Sequence, residues 1–240
     1  MTERERILKL LEEGKITADE AVRLLEALGK SSSAAEPLRR GVEYVNTLFR
    51  NVFRALPLML KEVIQNPLEE PVDLTLEVGE GFTLRHVGGD LTLRFVDRPK
   101  AHLQARGYVH RNGQTVEVVS EASLLEFPET ARFHLELAGG DLRAEGKTAG
   151  GLVEYVGGDL SWRLTGLTGD LEIRGETGDA EIHLPQDLFH RIEIVALVQQ
   201  GTLRVPEGAE PVESDTWHHP GSGPLLKIRV VFGDLVIQTP

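Results

Sequence analysis

A short turn signal, glycine followed by aspartate and then an apolar residue, recurs six times between residues 88 and 236 of this 240-residue chain. Glycine supplies the positive φ that a tight turn requires, and the aspartate carboxylate can accept backbone N–H groups that the turn leaves unpaired. Repetition of one turn predicts an internal repeat that builds the same corner many times. The six pairs are Gly89-Asp90, Gly140-Asp141, Gly158-Asp159, Gly169-Asp170, Gly178-Asp179 and Gly233-Asp234.

The apolar residues between these turns alternate with polar ones, as in strands that bury one face. Examples are Val72, Leu74 and Leu76, and later Leu171 and Ile173. The aspartates at positions 141, 159, 170 and 179 lie 18, 11 and 9 residues apart, so the rungs of the repeat are unequal. The sequence therefore predicts a mainly β domain over residues 67–240, a β-solenoid or β-helix, with a β-sandwich of short hairpins as the alternative.

The two ends of a solenoid need covers, because an open sheet edge invites further pairing. Candidates are the helix predicted over residues 38–66 and the terminal segment from Val230 to Ile237. The nine-residue step from Asp170 to Asp179 resembles calcium-binding β-roll repeats, but Leu167 and Glu176 stand where that pattern needs glycine. Turn chemistry is the preferred interpretation, and the sequence predicts no cofactor and no metal.

Composition narrows the classes of function. The chain has no cysteine, which excludes disulfides, thiolate zinc sites and cysteine nucleophiles. Its formal net charge of -12 disfavours nucleic-acid binding, which needs a cationic surface. No catalytic constellation or small-molecule substrate is recognisable, and we expect the protein not to be an enzyme. Arginine outnumbers lysine, 19 to 7, which weakly suggests a heat-adapted source.

The charge divides the chain into two regions. Residues 1–65 hold 11 basic and 10 acidic side chains, net +1, whereas residues 66–240 hold 15 and 28, net -13. Periodic leucines up to Glu13 and a capping box from Thr17 to Glu20 predict a helical hairpin over residues 1–30. Residues 31–37 are mostly small or polar and show no periodicity, which predicts a flexible linker.

The apolar residues within 38–66 recur at steps of three and four, which predicts an amphipathic helix with a heptad seam. Within residues 38–61, five basic side chains and one acidic side chain leave a net charge of +4. Three interpretations remain open: packing on the β domain, self-association through the seam, and insertion into an anionic membrane surface. The candidate interaction residues are the seam positions Val42, Val45, Phe49, Val52, Leu56, Met59 and Val63 with the basic Arg39, Arg40 and Arg54.

The stretch from Ile7 to Ala21, ILKLLEEGKITADEA, resembles the short SHOCT-like helical hairpin at the start of bacterial envelope-stress proteins of the YvlB and LiaX kind. In that family the hairpin precedes a glycine-rich, β-helical putative-adhesin domain of unknown activity. The resemblance covers about residues 3 to 29. It implies a β-helical remainder of the chain and a role in assembly or envelope-stress signalling.

Eight histidines raise the question of a metal site. Four of them, His86, His102, His134 and His183, lie within strand patterns and are expected to be solvated or satisfied. The sequence Trp217-His218-His219-Pro220 reads as a loop that exposes its tryptophan, where two adjacent histidines alone do not make a zinc site.

These features together predict a cytoplasmic, non-enzymatic scaffold or protein-interaction protein that self-associates through its helical N-terminal region. The expected partners are further copies of the chain or another protein that contacts the hairpin. One alternative is a peripheral membrane module that uses the cationic helix. Another is a β domain that binds a small molecule or a metal.

Overall fold

The computed structural model describes residues 71–206 and 215–239, which form fifteen β-strands and one short helix. The prediction of a mainly β domain is confirmed, while the hairpin, the linker and the helix predicted over residues 1–66 lie outside the described residues. The elements are β1 (Pro71–Leu76), β2 (Thr83–Val96), β3 (Ala101–Asn112), β4 (Thr115–Pro128), β5 (Phe133–Ala138), β6 (Leu142–Thr148), β7 (Gly151–Val156), β8 (Leu160–Leu167), β9 (Leu171–Thr177), β10 (Ala180–His183), α1 (Gln186–Phe189), β11 (Glu193–Gln200), β12 (Leu203–Arg204), β13 (Thr216–His219), β14 (Leu225–Phe232) and β15 (Leu235–Gln238).

Each rung of the fold is two strands joined at a glycine-containing corner. The strands before the corners stack in the order β2, β5, β7, β9, β14 and β11, and we call their sheet the first face. The strands after the corners stack as β2, β6, β8, β10, β15 and β12 and form the second face, since the long β2 contributes to both. Neighbouring rungs pair in parallel. Parallel pairing between rungs is the solenoid arrangement and excludes a sandwich built from antiparallel hairpins.

Apolar side chains from both faces fill the space between them. Phe95 and Trp162 stack with their ring centroids 5.8 Å apart, and Phe133 lies 5.4 Å from Phe95. A neighbouring apolar cavity, lined by Phe82, Phe127 and leucines among others, has a volume of only about 10 Å³. A small-molecule pocket usually needs roughly 300 Å³ or more, so this cavity cannot serve as one.

The corners between the two faces form a continuous ladder of aspartates, which we call the aspartate ladder. The side chain of each aspartate accepts the backbone N–H of the equivalent residue in the next rung, rather than an N–H within its own turn. The five bonds run from Asp141 N to Asp90 Oδ1 (3.1 Å), Asp159 N to Asp141 Oδ1 (3.0 Å), Asp179 N to Asp159 Oδ1 (2.9 Å), Asp234 N to Asp179 Oδ1 (2.8 Å) and Thr202 N to Asp234 Oδ1 (2.8 Å). The repeat in the sequence is therefore a device that joins rungs.

Glycine precedes each aspartate because successive corners lie against one another. Gly158 has φ of +80°, and a Cβ added there would lie 1.8 Å from the carbonyl oxygen of Gly140 in the preceding rung. Gly178 meets the carbonyl oxygen of Gly158 in the same way, also at 1.8 Å. No side chain fits at that distance, so the glycines are required by both backbone conformation and stacking.

One of the six predicted turns lies elsewhere. Asp170 immediately precedes the first-face strand β9, at the edge opposite the aspartate ladder, and its Oδ1 accepts the N–H of Leu225 at 3.0 Å. Gly150 lies against it, because a Cβ there would be 2.2 Å from the carbonyl oxygen of Asp170. The same dipeptide thus serves two different edges of the solenoid.

The order of the rungs differs from the order of the chain. The prediction that the segment from Val230 to Ile237 covers an end is wrong, because β14 and β15 lie between the β9–β10 rung and the β11–β12 rung. The physical reason is that Asp234 bonds on both sides of its corner, as an interior rung requires. At that end of the described sheet, β13 pairs antiparallel with β11.

The opposite end begins with β4, which pairs in parallel with the whole length of β2. Strand β3 then pairs antiparallel with β4, with a register shift between Ala105 and Gly107, and β1 pairs antiparallel with β3. This end is therefore an antiparallel meander of β4, β3 and β1 added to the solenoid.

Candidate functional site

A column of charged side chains crosses the first face on the side away from the core. One residue from each of six neighbouring strands occupies the same register position in this column. The neighbouring His134, Glu172 and Lys227 join it through ion pairs or hydrogen bonds, and we call the whole group the charged ladder. The column residues, in strand order, are Glu117, Arg85, Glu136, Glu154, Arg174 and Arg229.

Two arginines connect most of the carboxylates. Arg85 donates from Nε to Glu136 Oε2 at 2.9 Å and from Nη1 to Glu117 Oε1 at 3.2 Å. Arg174 donates from Nη1 to Glu154 Oε1 at 3.0 Å and from Nη2 to Glu172 Oε2 at 2.9 Å. Each arginine therefore bridges two acids, as the forked geometry of guanidinium allows.

The alternation of charge breaks where Arg174 lies beside Arg229, and again at Glu136 and Glu154, which are direct neighbours in register. Both glutamates are buried, each with a relative exposure of 7%. His134 Nε2 lies 2.9 Å from Glu154 Oε2 and 3.7 Å from Glu136 Oε1. Each carboxylate thus directs one oxygen to an arginine and the other toward the same imidazole nitrogen.

Burial shifts the pKa values of Glu154 and His134. Burial raises the pKa of Glu154, and the Arg174 cation opposes that rise. Burial lowers the pKa of His134, Glu136 opposes the change, and the Arg85 and Arg174 cations reinforce it. Burial thus disfavours the charged imidazolium, and a neutral imidazole can ligate a metal through its unprotonated nitrogen.

The trio also satisfies the spacing of a metal site. The ligand atoms of His134, Glu136 and Glu154 all lie within 4.8 Å of one another. An imidazole nitrogen with two carboxylate oxygens is a ligand set that divalent transition metals use. The arrangement can thus act either as a closed ion-pair network or as a cation site.

Glu176 also belongs to the charged ladder and lies two residues beyond Arg174 in β9, toward the corner. Glu176 is only 3% exposed, and its Oε2 has no hydrogen-bond partner. Burial raises the pKa of Glu176 to about 7, opposed by Arg229 and reinforced by Glu154. A carboxyl group of this kind titrates near neutral pH, so this part of the first face changes its charge there.

A second buried polar group lies inside the core. His86 is fully buried, and its Nε2 lies 3.0 Å from Ser120 Oγ and 3.2 Å from Ser123 Oγ. Burial lowers the pKa of His86 to about 4, and its Nδ1 has no partner. A histidine lies beside two serines here, but the group is fully buried and a substrate cannot reach it. We therefore interpret it as a hydrogen-bonded polar cluster within the core.

The structure corrects the prediction for residues 217–220. Thr216–His219 is the strand β13, not a loop, and Trp217 is buried with 2% exposure. Its ring stacks on Phe189 with centroids 6.2 Å apart, and His218 Nε2 pairs with Glu193 Oε1 at 3.0 Å. Trp217 therefore packs inside the domain and offers no contact to a partner.

The other predicted site residues divide into two groups. The glycine and aspartate turn residues lie at the corners and edges described above. The candidate interaction residues, the seam positions and the three arginines between Arg39 and Val63, lie outside the described residues. Sequence reasoning did not single out His134, Glu136 and Glu154 as a group, and a signal existed: residues 136 and 154 are 18 apart, like aspartates 141 and 159.

Within the described part of the chain, no helix is both long enough and apolar enough to cross a bilayer.

Comparisons with known proteins give one match for the N-terminal segment and one for the fold. Residues 2–33 match the SHOCT-like domain, which confirms the resemblance of the N-terminal segment at that level. A crystal structure described as a "putative cell adhesion protein" from Clostridium sporogenes matches with a TM-score of 0.53 and 13% identity, over 71% of this chain and 100% of that one. At this identity the likeness shows the fold alone. No curated protein matches the chain.

Proposed function

We propose that this protein is a non-enzymatic scaffold that binds other proteins, including further copies of itself. The observation that carries the proposal is the filled interior of the solenoid. Apolar side chains occupy the space between the faces, and the cavity beside them is too small for a ligand. The described strands thus present their outer surfaces rather than an interior pocket, and such surfaces serve protein recognition.

We assign self-association to the N-terminal region, residues 1–66, which the sequence predicts to be helical. The predicted heptad seam from Val42 to Val63 has the spacing by which helices pair, and a hairpin as short as the one predicted within the SHOCT-like segment needs a partner surface. A role in envelope-stress signalling, as in proteins of the YvlB and LiaX kind, and a cytoplasmic location belong to the same proposal.

Sedimentation of the full-length protein over a range of concentrations tests self-association. The wild type should form larger species as its concentration rises, whereas Val45→Ser, Val52→Ser and Met59→Gln together should leave a monomer with an unchanged β-sheet circular dichroism spectrum. The matched control replaces Arg39, Arg40 and Arg54 by glutamine and should still self-associate. A wild type that is monomeric at every concentration contradicts the proposal.

A second candidate function, binding to an anionic membrane surface, is favoured by the net charge of +4 over residues 38–61 beside an apolar stripe. The same two variants separate it from self-association. The arginine variant should stop floating with vesicles that contain phosphatidylserine, at low salt, if the membrane is the partner. Equal flotation of that variant and the wild type excludes this function.

A further inference from the structure

We propose that His134, Glu136 and Glu154 form a binding site for a single divalent transition-metal ion on the first face of the solenoid. The ligand atoms are His134 Nε2, Glu136 Oε1 and Glu154 Oε2. This inference is independent of self-association, because it rests on described side chains of the β domain alone.

The distances fit an ion without movement of the strands. A zinc ion lies about 2.0 to 2.2 Å from nitrogen and oxygen ligands, which in a tetrahedral site places the ligand atoms roughly 3.3 to 3.5 Å apart. Here the nitrogen lies 2.9 Å from Glu154 Oε2 and 3.7 Å from Glu136 Oε1, values on either side of that separation, and the two oxygens lie within 4.8 Å of one another.

The charges of the column favour a cation at this position. Glu136 and Glu154 are adjacent carboxylates on neighbouring strands, and like charges placed opposite one another destabilise a sheet. The neighbouring charges are otherwise balanced, so a cation would neutralise the adjacent pair of carboxylates rather than an overall excess. The four carboxylates are Glu117, Glu136, Glu154 and Glu172, and the four cations are Arg85, Arg174, Arg229 and Lys227.

The arginines support the site instead of blocking it. Arg85 occupies Glu136 Oε2 and Arg174 occupies Glu154 Oε1, which are the carboxylate oxygens that face away from the imidazole. Hydrogen bonds of this kind fix the orientation of metal-ligating carboxylates in proteins. The His134 side chain is 32% exposed, so solvent can reach the ion and complete its coordination.

The ligand set selects the class of ion. Calcium and magnesium prefer oxygen ligands, whereas imidazole nitrogen with carboxylate oxygens suits Zn²⁺ and Mn²⁺. The expected order of affinity is Zn²⁺ above Mn²⁺, following the general trend for nitrogen and oxygen sites, with Mg²⁺ and Ca²⁺ far weaker.

Isothermal titration of metal-free full-length protein with ZnCl₂, and in parallel with MnCl₂ and MgCl₂, tests the site. The wild type should bind one Zn²⁺ per chain, and His134→Gln and Glu154→Gln should each weaken binding at least tenfold. The matched control is His183→Gln, which removes a histidine that lies 3.3 Å from the single carboxylate of Glu181 on the second face. That variant should bind Zn²⁺ like the wild type.

Two results overturn the proposal: a wild type that binds no Zn²⁺, and a His134→Gln variant that binds as tightly as the wild type. Circular dichroism without metal checks that the variants are folded. If they do not fold, pulsed electron paramagnetic resonance of Mn²⁺ bound to the wild type still decides. The spectrum should contain the coupling of one imidazole nitrogen, and a spectrum without nitrogen coupling contradicts the site.

Discussion

The aspartate ladder and the charged ladder run along the same solenoid but are built on opposite principles. In the aspartate ladder, aspartates in successive rungs make the same bond, at 2.8 to 3.1 Å, to the N–H of the next rung. In the charged ladder the residue changes from glutamate to arginine and back, and each contact is different. The repeated aspartates hold the rungs together. The residues of the charged ladder differ from rung to rung, so they can form a site that occurs once.

This comparison predicts that substitutions at the corner glycines destabilise the fold more than substitutions in the charged ladder. Gly158→Ala should lower the free energy of unfolding by about 3 kcal/mol or more, because the new Cβ would overlap the Gly140 carbonyl, 1.8 Å away, at a φ of +80°. Denaturant unfolding measures the loss. Gly81→Ala is the matched control, since Gly81 has φ of +76° but no atom within 4 Å of the added Cβ. It should cost only about 1 kcal/mol, and equal losses in the two variants would mean that stacking contributes nothing.

The charged ladder should make stability depend on pH near neutrality. The pKa of Glu176 is raised to about 7 in the folded protein, so the folded state holds this proton more tightly than the unfolded state. Stability from this group is complete below about pH 4.5 and is lost as the pH rises through 7, by about 2 to 3 kcal/mol in total. Glu176→Gln should remove that loss.

Unfolding curves of the wild type and of Glu176→Gln at pH 5 and pH 8.5 measure the difference. The variant should gain stability relative to the wild type only at the higher pH. An equal difference at the two pH values would show that Glu176 does not titrate between them.

Within the charged ladder, ion pairs on half-buried residues should matter more than exposed pairs. Arg174→Met separates Glu154 and Glu172 from their shared cation and should cost about 1 to 2 kcal/mol. Arg94→Met is the control, because Arg94 and Glu145 form a single pair with half-exposed side chains on the second face. That variant should change the free energy of unfolding by less than about 0.5 kcal/mol. Equal losses in the two variants would show that burial does not strengthen the ion pairs of Arg174.

The sequence predicted the strands, the corners and the stacking of rungs, because all three follow from local turn chemistry and a period of two. It could not predict the order of the rungs. Asp179 bonds to the N–H of Asp234, 55 residues away, and no local signal marks β14 and β15 as an interior rung. The burial of Trp217 was missed for the same reason, since a strand of four residues acquires its partner β11 only in the folded chain.

The metal-ligand trio was predictable only after the rungs were aligned. His134 and Glu136 share a strand face, which a period of two gives directly. Glu154 joins them because the next rung is 18 residues on, a shift set by the step between Asp141 and Asp159. The arginines that orient the two glutamates come from β2 and β9, so the electrostatics of the site required the structure.

The central claim is that the aspartate ladder is structural and that the charged ladder holds the cation site. Zinc binding by two carboxylate-to-amide variants, one in each ladder, tests it most directly. Asp159→Asn keeps an oxygen that can accept the N–H of Asp179, so the corner should remain intact and Zn²⁺ should bind as tightly as in the wild type. Glu154→Gln should weaken binding at least tenfold. The opposite result, loss of Zn²⁺ binding in Asp159→Asn with wild-type affinity in Glu154→Gln, would place the cation at the corner and contradict the account.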